Sequence, residues 1–244
     1  PKTLETTSSA VQIFVLDLEA WRVRCVVAGS VLSYLGTVLV WPLMLIWMGM
    51  CHMLSQCCFK SFRFQRWKLP YTLNTTGLGL QLGFGTIAAV ALKPMMCYRH
   101  PNARHSVLSY PSVLCGESDH VLMLGLGLGL LTVFVLGFLV ICSYAVWNLP
   151  RWSLHREHKK VQCFRFCSEN FRADSYGFII VLLVRSLGFA VSVAVGTNLP
   201  PIQTGFTSII LFIYAMMQAS WRPWRVPAIN LADTVLSASI LILA

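Results

Sequence analysis

The chain has 244 residues, of which 56% are hydrophobic and 11% charged, and its mean hydropathy is +0.66. Since a typical globular domain carries about 25% charged residues, this composition excludes an ordinary soluble domain. The net charge of +10 does not indicate nucleic-acid binding, because the basic residues cluster between apolar stretches, where membrane topology and anionic lipid account for them, and no nucleic-acid-binding motif appears. We therefore expect an integral membrane protein that binds no nucleic acid.

A helix needs roughly 20 mostly apolar residues to cross a bilayer. The stretches that approach this length are residues 25–53, 72–96, 121–147, 177–196, 202–220 and 231–244. They predict an all-α, multi-span transmembrane helix bundle of about six spans over residues 25–244, with the last span truncated. Residues 1–24 form a juxtamembrane segment whose amphipathic pattern favours a helix in the membrane interface. Because the chain starts at Pro1 and ends within an apolar run, we expect a fragment of a longer protein.

The loops differ in positive charge. Residues 54–71, 148–177 and 221–230 carry 12 Lys and Arg residues, against 6 in the N-terminal segment and the second and fourth loops together. The positive-inside rule places the three basic loops in the cytoplasm and the N-terminal segment outside. We expect the plasma membrane as the location, the lipid bilayer as the main partner, and anionic lipids at the basic loops. The sequence leaves homo-oligomer formation open.

Cysteines follow the same orientation. Cys97 and Cys115 lie in the second, external loop and enclose 17 residues, which predicts a disulfide on the oxidising side; the alternative is two reduced cysteines at helix ends. Cys57 and Cys58 lie between the first span and a basic stretch. This position suits S-palmitoylation, but ordinary thiols at the interface explain it equally well.

Arg185 is the charged residue that lies well inside a span, where a charge costs at least about 2.5 kcal/mol. The polar groups within or near spans that can compensate the Arg185 charge are Asp233, Gln81 and Gln218. Asp233 is the first choice, because both residues lie near the cytoplasmic end of their spans. The interpretations are a strut between helices, a polar permeation path, or snorkelling of Arg185 to the interface.

The remaining motifs indicate no metal site, no active site and no phosphate-binding loop. The pattern of His155, His158, Cys163 and Cys167 matches no common zinc motif, so we expect no metal site there and favour a basic segment that faces lipid. No catalytic motif or paired intramembrane acid is present, so we expect no catalytic residue, no cofactor and no enzymatic activity. Small residues at Gly125, Gly127 and Gly129 favour close helix packing rather than phosphate binding.

Three stretches carry a family resemblance: CYRHPNARHSVLSYPSVLCGESDH (97–120), FRFCSENFRADSYGF (164–178) and NLPPIQ…SWRPWRVPAINLAD (198–233). They resemble the C-terminal membrane region of large protist cell-surface proteins, in which cysteine-rich EGF-like or ephrin-receptor-like ectodomains precede the bundle. That region is distantly similar to TRP-like and polycystin-like membrane regions. The resemblance implies an external loop closed by two cysteines, a basic cytosolic linker before the fourth span, and a Pro-rich turn before the last span.

Two functions follow from these features. The first is a non-enzymatic membrane domain of a larger cell-surface protein, acting as anchor, sensor or receptor. The second is a TRP-like ion channel or transporter subunit. No selectivity filter is recognisable, and the loop where a TRP pore lies has only about ten residues here and is predicted to be cytosolic.

Overall fold

Helices make up most of the chain in the computed structural model, which describes residues 29–58, 67–101, 103–197 and 199–243. The predicted interfacial segment, residues 1–24, lies outside the described residues. The helices are α1 (Ser30–Cys58), α2 (Leu69–Leu92), α3 (Ser118–Leu130), α4 (Gly137–Leu154), α5 (His158–Cys163), α6 (Phe178–Val195), α7 (Pro200–Trp221) and α8 (Pro227–Leu243). Single 3₁₀ turns follow α2 at Lys93–Met95 and α5 at Arg165–Cys167. The predicted all-α bundle is confirmed.

Five helical segments in the described residues are long and apolar enough to cross a membrane. They are α1, α2 with its 3₁₀ turn, the α3–α4 rod, α6 and α7. A six-residue π-helical stretch, Leu131–Leu136, joins α3 and α4 into that rod. The sixth apolar stretch forms α8, whose 17 residues are shorter than the roughly 20 that a span needs.

Most helices extend beyond the predicted spans. Three of them begin earlier because proline occupies one of their first two positions, where its fixed φ suits a helix start and its missing N–H costs nothing. These helices are α2, α7 and α8, which start at Leu69, Pro200 and Pro227. At the other end, α1 continues past residue 53 and α4 past residue 147. Hydropathy marks where a stretch stops being apolar, whereas a helix continues until its hydrogen bonding is interrupted.

The connection between α2 and α3 is a small sheet, and we call this side of the bundle the hairpin end. Strands β1 (Cys97–Arg99), β2 (His105–Val107) and β3 (Tyr110–Leu114) are antiparallel and lie in the order β1-β2-β3. The start of α1 packs against it: the Ser30 and Ser112 hydroxyls are 2.5 Å apart, and the Tyr34 and Tyr110 rings meet edge to face. The sheet therefore ties together three membrane-length helices.

The opposite side, the basic end, contains residues 151–177 and 222–226. These two segments are joined by backbone hydrogen bonds from Arg172 N to Pro223 O (2.8 Å) and from Arg225 N to Asn170 O (3.1 Å). The first turns of α2 join them, because Asn74 Oδ1 accepts the Phe166 N–H at 2.7 Å. The first turns of α2 and the connections after α4 and α7 thus meet at one end.

Close packing holds α1, α2 and α3 together near the hairpin end. The Trp41 ring of α1 lies directly on Gly83 of α2, and a Cβ on Gly127 of α3 would overlap Ala91 O and the Tyr34 hydroxyl. The predicted packing role is confirmed for Gly127. It is wrong for Gly125 and Gly129, which have no other heavy atoms within 4 Å of a Cβ position. In a helix, alternate residues point to different faces, so the three glycines cannot all face the same neighbour.

The outer surface of the spans is apolar. Leu82 and Trp147 are 78% and 76% exposed, although both lie in membrane-length helices. Such exposure is unfavourable in water but costs nothing against lipid, which is as apolar as the side chains. This pattern is what a bundle surrounded by hydrocarbon requires.

Candidate functional site

The strongest polar cluster inside the bundle lies between α6, α7 and α8. Arg185 of α6 and Asp233 of α8 form an ion pair with 3.9 Å between Nη1 and Oδ1, and their side chains are 26% and 19% exposed. This distance is too long for a hydrogen bond. The guanidinium also stacks over the Tyr214 ring of α7, with Cζ 4.0 Å from the ring centroid. Arg185 is therefore held by charge and by an aromatic face.

Asp233 has closer partners than Arg185. Its Oδ2 accepts hydrogen bonds from the Tyr214 hydroxyl at 2.5 Å and from Trp224 Nε1 at 2.9 Å. Two neutral donors and one nearby cation together compensate the partly buried carboxylate. Because each donor comes from a different segment, the carboxylate links α7, α8 and the loop between them.

That loop is fixed in place by several contacts. The side-chain amide of Asn230, in the first turn of α8, accepts a hydrogen bond from Trp224 N at 3.1 Å and donates one to Trp224 O at 2.9 Å. It therefore satisfies both backbone polar groups of Trp224. The Trp224 ring stacks on Phe171, with the ring centroids 5.1 Å apart. Phe171 in turn contacts Phe178 at the start of α6. The position of Trp224 Nε1 is thus set by the basic segment as well as by α8.

Several buried polar atoms in the described residues have no hydrogen-bond partner. They are Arg185 Nε, Gln81 Oε1, and both Nε2 and Oε1 of Gln218. Gln218 lies one turn after Tyr214 on α7 and is completely buried. Gln81 lies on α2 one turn before Gly85, which faces Ser186 of α6. Leaving such an atom without a partner costs about 1–3 kcal/mol.

Two cavities adjoin this region. A groove of about 330 Å³ between α6 and α7 is lined by Arg185 and Tyr214 and otherwise by apolar groups; neither Gln81 nor Asp233 lines it. A second cleft of about 350 Å³ between α7 and α8 is lined in part by Gln218, Arg222, Asn230 and Thr234. The predicted intramembrane polar residues therefore do not share one of these cavities, although Arg185 and Asp233 are neighbours.

Cys97 and Cys115 form a disulfide with a Cα–Cα distance of 6.5 Å. His120 fixes the same region, because its Nδ1 accepts the Gly116 N–H at 3.2 Å and its Nε2 donates to Pro94 O at 3.0 Å. Within the described ranges, these two cysteines and His120 are the one group whose ligand atoms are close enough for a metal. A metal needs thiolate sulfur, so the disulfide removes two of the three ligands.

The other cysteines in the described part of the chain lie at or near the basic end. Cys57 is exposed on the last turn of α1, rather than in a loop, and the side chain of Cys58 lies outside the described part. Burial raises the pKa of the partly buried Cys163 thiol. A hydrogen bond with Cys142 and burial raise the pKa of Cys167 well above its usual value. Cys57 is thus the accessible thiol of these three.

Tyr214 and Trp224 were missed by sequence reasoning. A sequence-level signal existed: aromatic residues with polar tips, placed near the end of a span, need a partner for the O–H or N–H when they are buried.

Comparisons with protein-family models, with curated proteins and with solved structures found no match to this chain. The resemblance to protist surface proteins stays a prediction.

Proposed function

We propose that this chain is the non-enzymatic membrane domain of a larger cell-surface protein, in which it serves as anchor, sensor or receptor. The observation that carries the proposal is the use of the intramembrane charges. Arg185 and Asp233 neutralise each other between helices, and Tyr214 and Trp224 complete the carboxylate's hydrogen bonds. Charges used in this way support a strut that fixes α6, α7 and α8 to one another.

In this proposal the hairpin end faces the outside of the plasma membrane and the basic end faces the cytoplasm. The excess of Lys and Arg at the basic end and the disulfide at the hairpin end support this orientation. The bilayer is the principal partner, with anionic lipids attracted to the basic loops. The apolar outer faces suit contact with lipid and with further copies of the chain alike.

A channel or transporter is the second candidate. Gln81 and Gln218 favour it, because their buried amide atoms lack partners that a hydrated path would provide. Against it, the groove beside Arg185 has apolar walls apart from Arg185 and Tyr214 and does not reach Gln81 or Asp233. The strut therefore accounts for more of the polar groups than the path does.

Ion flux from proteoliposomes tests the choice between these functions. The purified chain is reconstituted into vesicles loaded with K⁺ or Ca²⁺, and protein-free vesicles and vesicles with a known ionophore serve as controls. We expect flux equal to that of protein-free vesicles. Flux that requires the chain and decreases in Gln81→Leu would overturn the anchor or receptor proposal and favour the channel.

A further inference from the structure

The cleft between α7 and α8 lies at the basic end, beside the last turn of α7 and the first turns of α8. Its volume is about 350 Å³, and it is lined by Gln218 of α7, by Arg222 directly after α7, and by Asn230 and Thr234 of α8. Arg222 directly follows α7, four positions after Gln218, so the Cα atoms of the two residues are about 6 Å apart along the helix axis.

Gln218 points to a ligand. It is 0% exposed and lines this cleft, yet neither its Nε2 nor its Oε1 has a hydrogen-bond partner within the described part of the chain. Buried side-chain amides are nearly always satisfied, by protein or by ordered water, and a polar group of a ligand can take the place of such a water. Asn230, across the cleft, already uses its amide on Trp224. Gln218 therefore has donors to offer to a molecule in the cleft.

The charges around the cleft favour an anion. Arg222 is exposed, and the start of α8 at Pro227 adds the partial positive charge of a helix N-terminus. No carboxylate is among the residues that line the cleft. Asp233 is the acid of the adjoining turn, and Tyr214, Trp224 and Arg185 compensate it.

Arg222 also has an unusual backbone. It ends α7 in the left-handed conformation, with φ of 43°, where glycine is the usual residue. A glycine there would relieve strain, so the arginine is not required for the helix to end at this position. Its side chain is free to serve another purpose.

We infer that this cleft binds one anionic glycerophospholipid. Its phosphate lies at Arg222 and the start of α8, and an ester carbonyl of its glycerol backbone, one layer deeper, accepts from Gln218 Nε2. A free phosphate meets only the outer part of this site, whereas a phospholipid supplies acceptors at both depths. The inference goes beyond general attraction of anionic lipids to basic loops, and it rests on the proposed orientation only for which leaflet supplies the lipid.

Native mass spectrometry of the chain in detergent, titrated with phosphatidylglycerol or phosphatidylcholine, tests the site. We expect one tightly held phosphatidylglycerol, bound roughly tenfold more weakly by Arg222→Gly because a charge-assisted contact is lost. Arg225→Gln removes the same charge from the same loop but not from the cleft wall, and we expect less than a twofold change. Equal weakening in both variants would show diffuse charge attraction and overturn the inference.

Gln218→Leu separates binding from folding. Leucine removes the unpaired amide, so we expect the lipid-free protein to become more resistant to thermal unfolding while phosphatidylglycerol binds several-fold more weakly. Full retention of lipid binding by Gln218→Leu would refute the contact. The last measurement is competition with inorganic phosphate. We expect millimolar phosphate not to displace the lipid; displacement would identify a phosphate site instead. None of these results depends on the ion-flux measurement.

Discussion

The two ends of the bundle satisfy their polar groups in different ways. At the hairpin end, both ring nitrogens of His120 have backbone partners, and the hydroxyls of Ser30 and Ser112 pair with each other. Toward the basic end, Arg185 Nε and both amide atoms of Gln218 are buried without partners among the described residues. A fully satisfied region is held in one arrangement, whereas unpaired buried groups raise the free energy and leave room for a ligand. The comparison indicates a rigid clamp at the hairpin end and a more adaptable basic end.

The largest effect we predict is on the clamp. Replacement of Cys97 and Cys115 by alanine removes a cross-link around a 17-residue loop, which should cost about 3 kcal/mol by the chain-entropy argument. Unfolding of the chain in mixed micelles, followed by titration with SDS, measures this loss. Cys51→Ala, at a partly buried free cysteine, is the control and should change the free energy of unfolding far less. An equal loss in both proteins would show that the bridge does not stabilise the hairpin end.

The next effect concerns packing below the clamp. Gly127→Leu places a side chain where Ala91 O, the Tyr34 hydroxyl and Pro94 already lie. We expect destabilisation of about 2 kcal/mol from overpacking. Gly125→Leu and Gly129→Leu are matched controls in the same helix with open space at the Cβ, and they should be nearly neutral. The same SDS titration compares the three variants, and a similar loss in all of them would mean that glycine matters here for the helix backbone rather than for packing.

In the polar cluster between α6, α7 and α8, we predict a smaller, coupled effect. Arg185→Leu leaves the Asp233 carboxylate with Tyr214 and Trp224 but without a nearby cation. The expected loss is roughly 1–2 kcal/mol, below that of a fully buried pair because both side chains are partly exposed and the ion pair is long. The free energy of unfolding from the SDS titration measures it.

A double-mutant cycle shows whether this loss comes from charge. In the Asp233→Asn background, Arg185→Leu should cost only about 0.5–1 kcal/mol, the value of the stacking on Tyr214 that remains to be lost. Arg185→Lys, which keeps the charge, is the conservative control. The strut interpretation fails if Arg185→Leu costs the same in the unmodified chain and in the Asp233→Asn background.

The sequence predicted the bundle because length and apolarity decide which segments cross a membrane. It also predicted the Arg185–Asp233 pair, since two opposite charges at similar depth in the bundle have few other ways to be compensated. Helix ends were less predictable. Proline starts and helix extensions such as α4 beyond residue 147 depend on backbone hydrogen bonding, to which hydropathy is insensitive.

The rest of the site was beyond sequence reasoning because it depends on rotation of the helices about their axes. Whether Gln81 and Gln218 face Arg185 or another neighbour is set by packing of side chains on all sides. The role of Trp224 depends on its stacking with Phe171, which lies 53 positions earlier in the chain. Contacts of that range are not encoded in any local pattern.

The smallest predicted effect is a difference in thiol reactivity, which measures how open the basic end is. Thiolate is the reactive species, and Cys163 and Cys167 have raised pKa values, from burial in the first case and from Cys142 and burial in the second. At pH 7.5 both hold less thiolate than ordinary cysteine, so their labelling by a maleimide should be slow and should keep increasing with pH. Cys57 is exposed and should react first, followed by Cys163 and then Cys167, as site-resolved mass spectrometry can determine. If Cys57 of cell-derived protein reacts only after hydroxylamine treatment, it is acylated, as its position beside a basic stretch predicts.

If Cys167 reacts with the maleimide as fast as Cys57, the basic segment opens readily, and the contrast with the hairpin end is greater than the structure alone indicates.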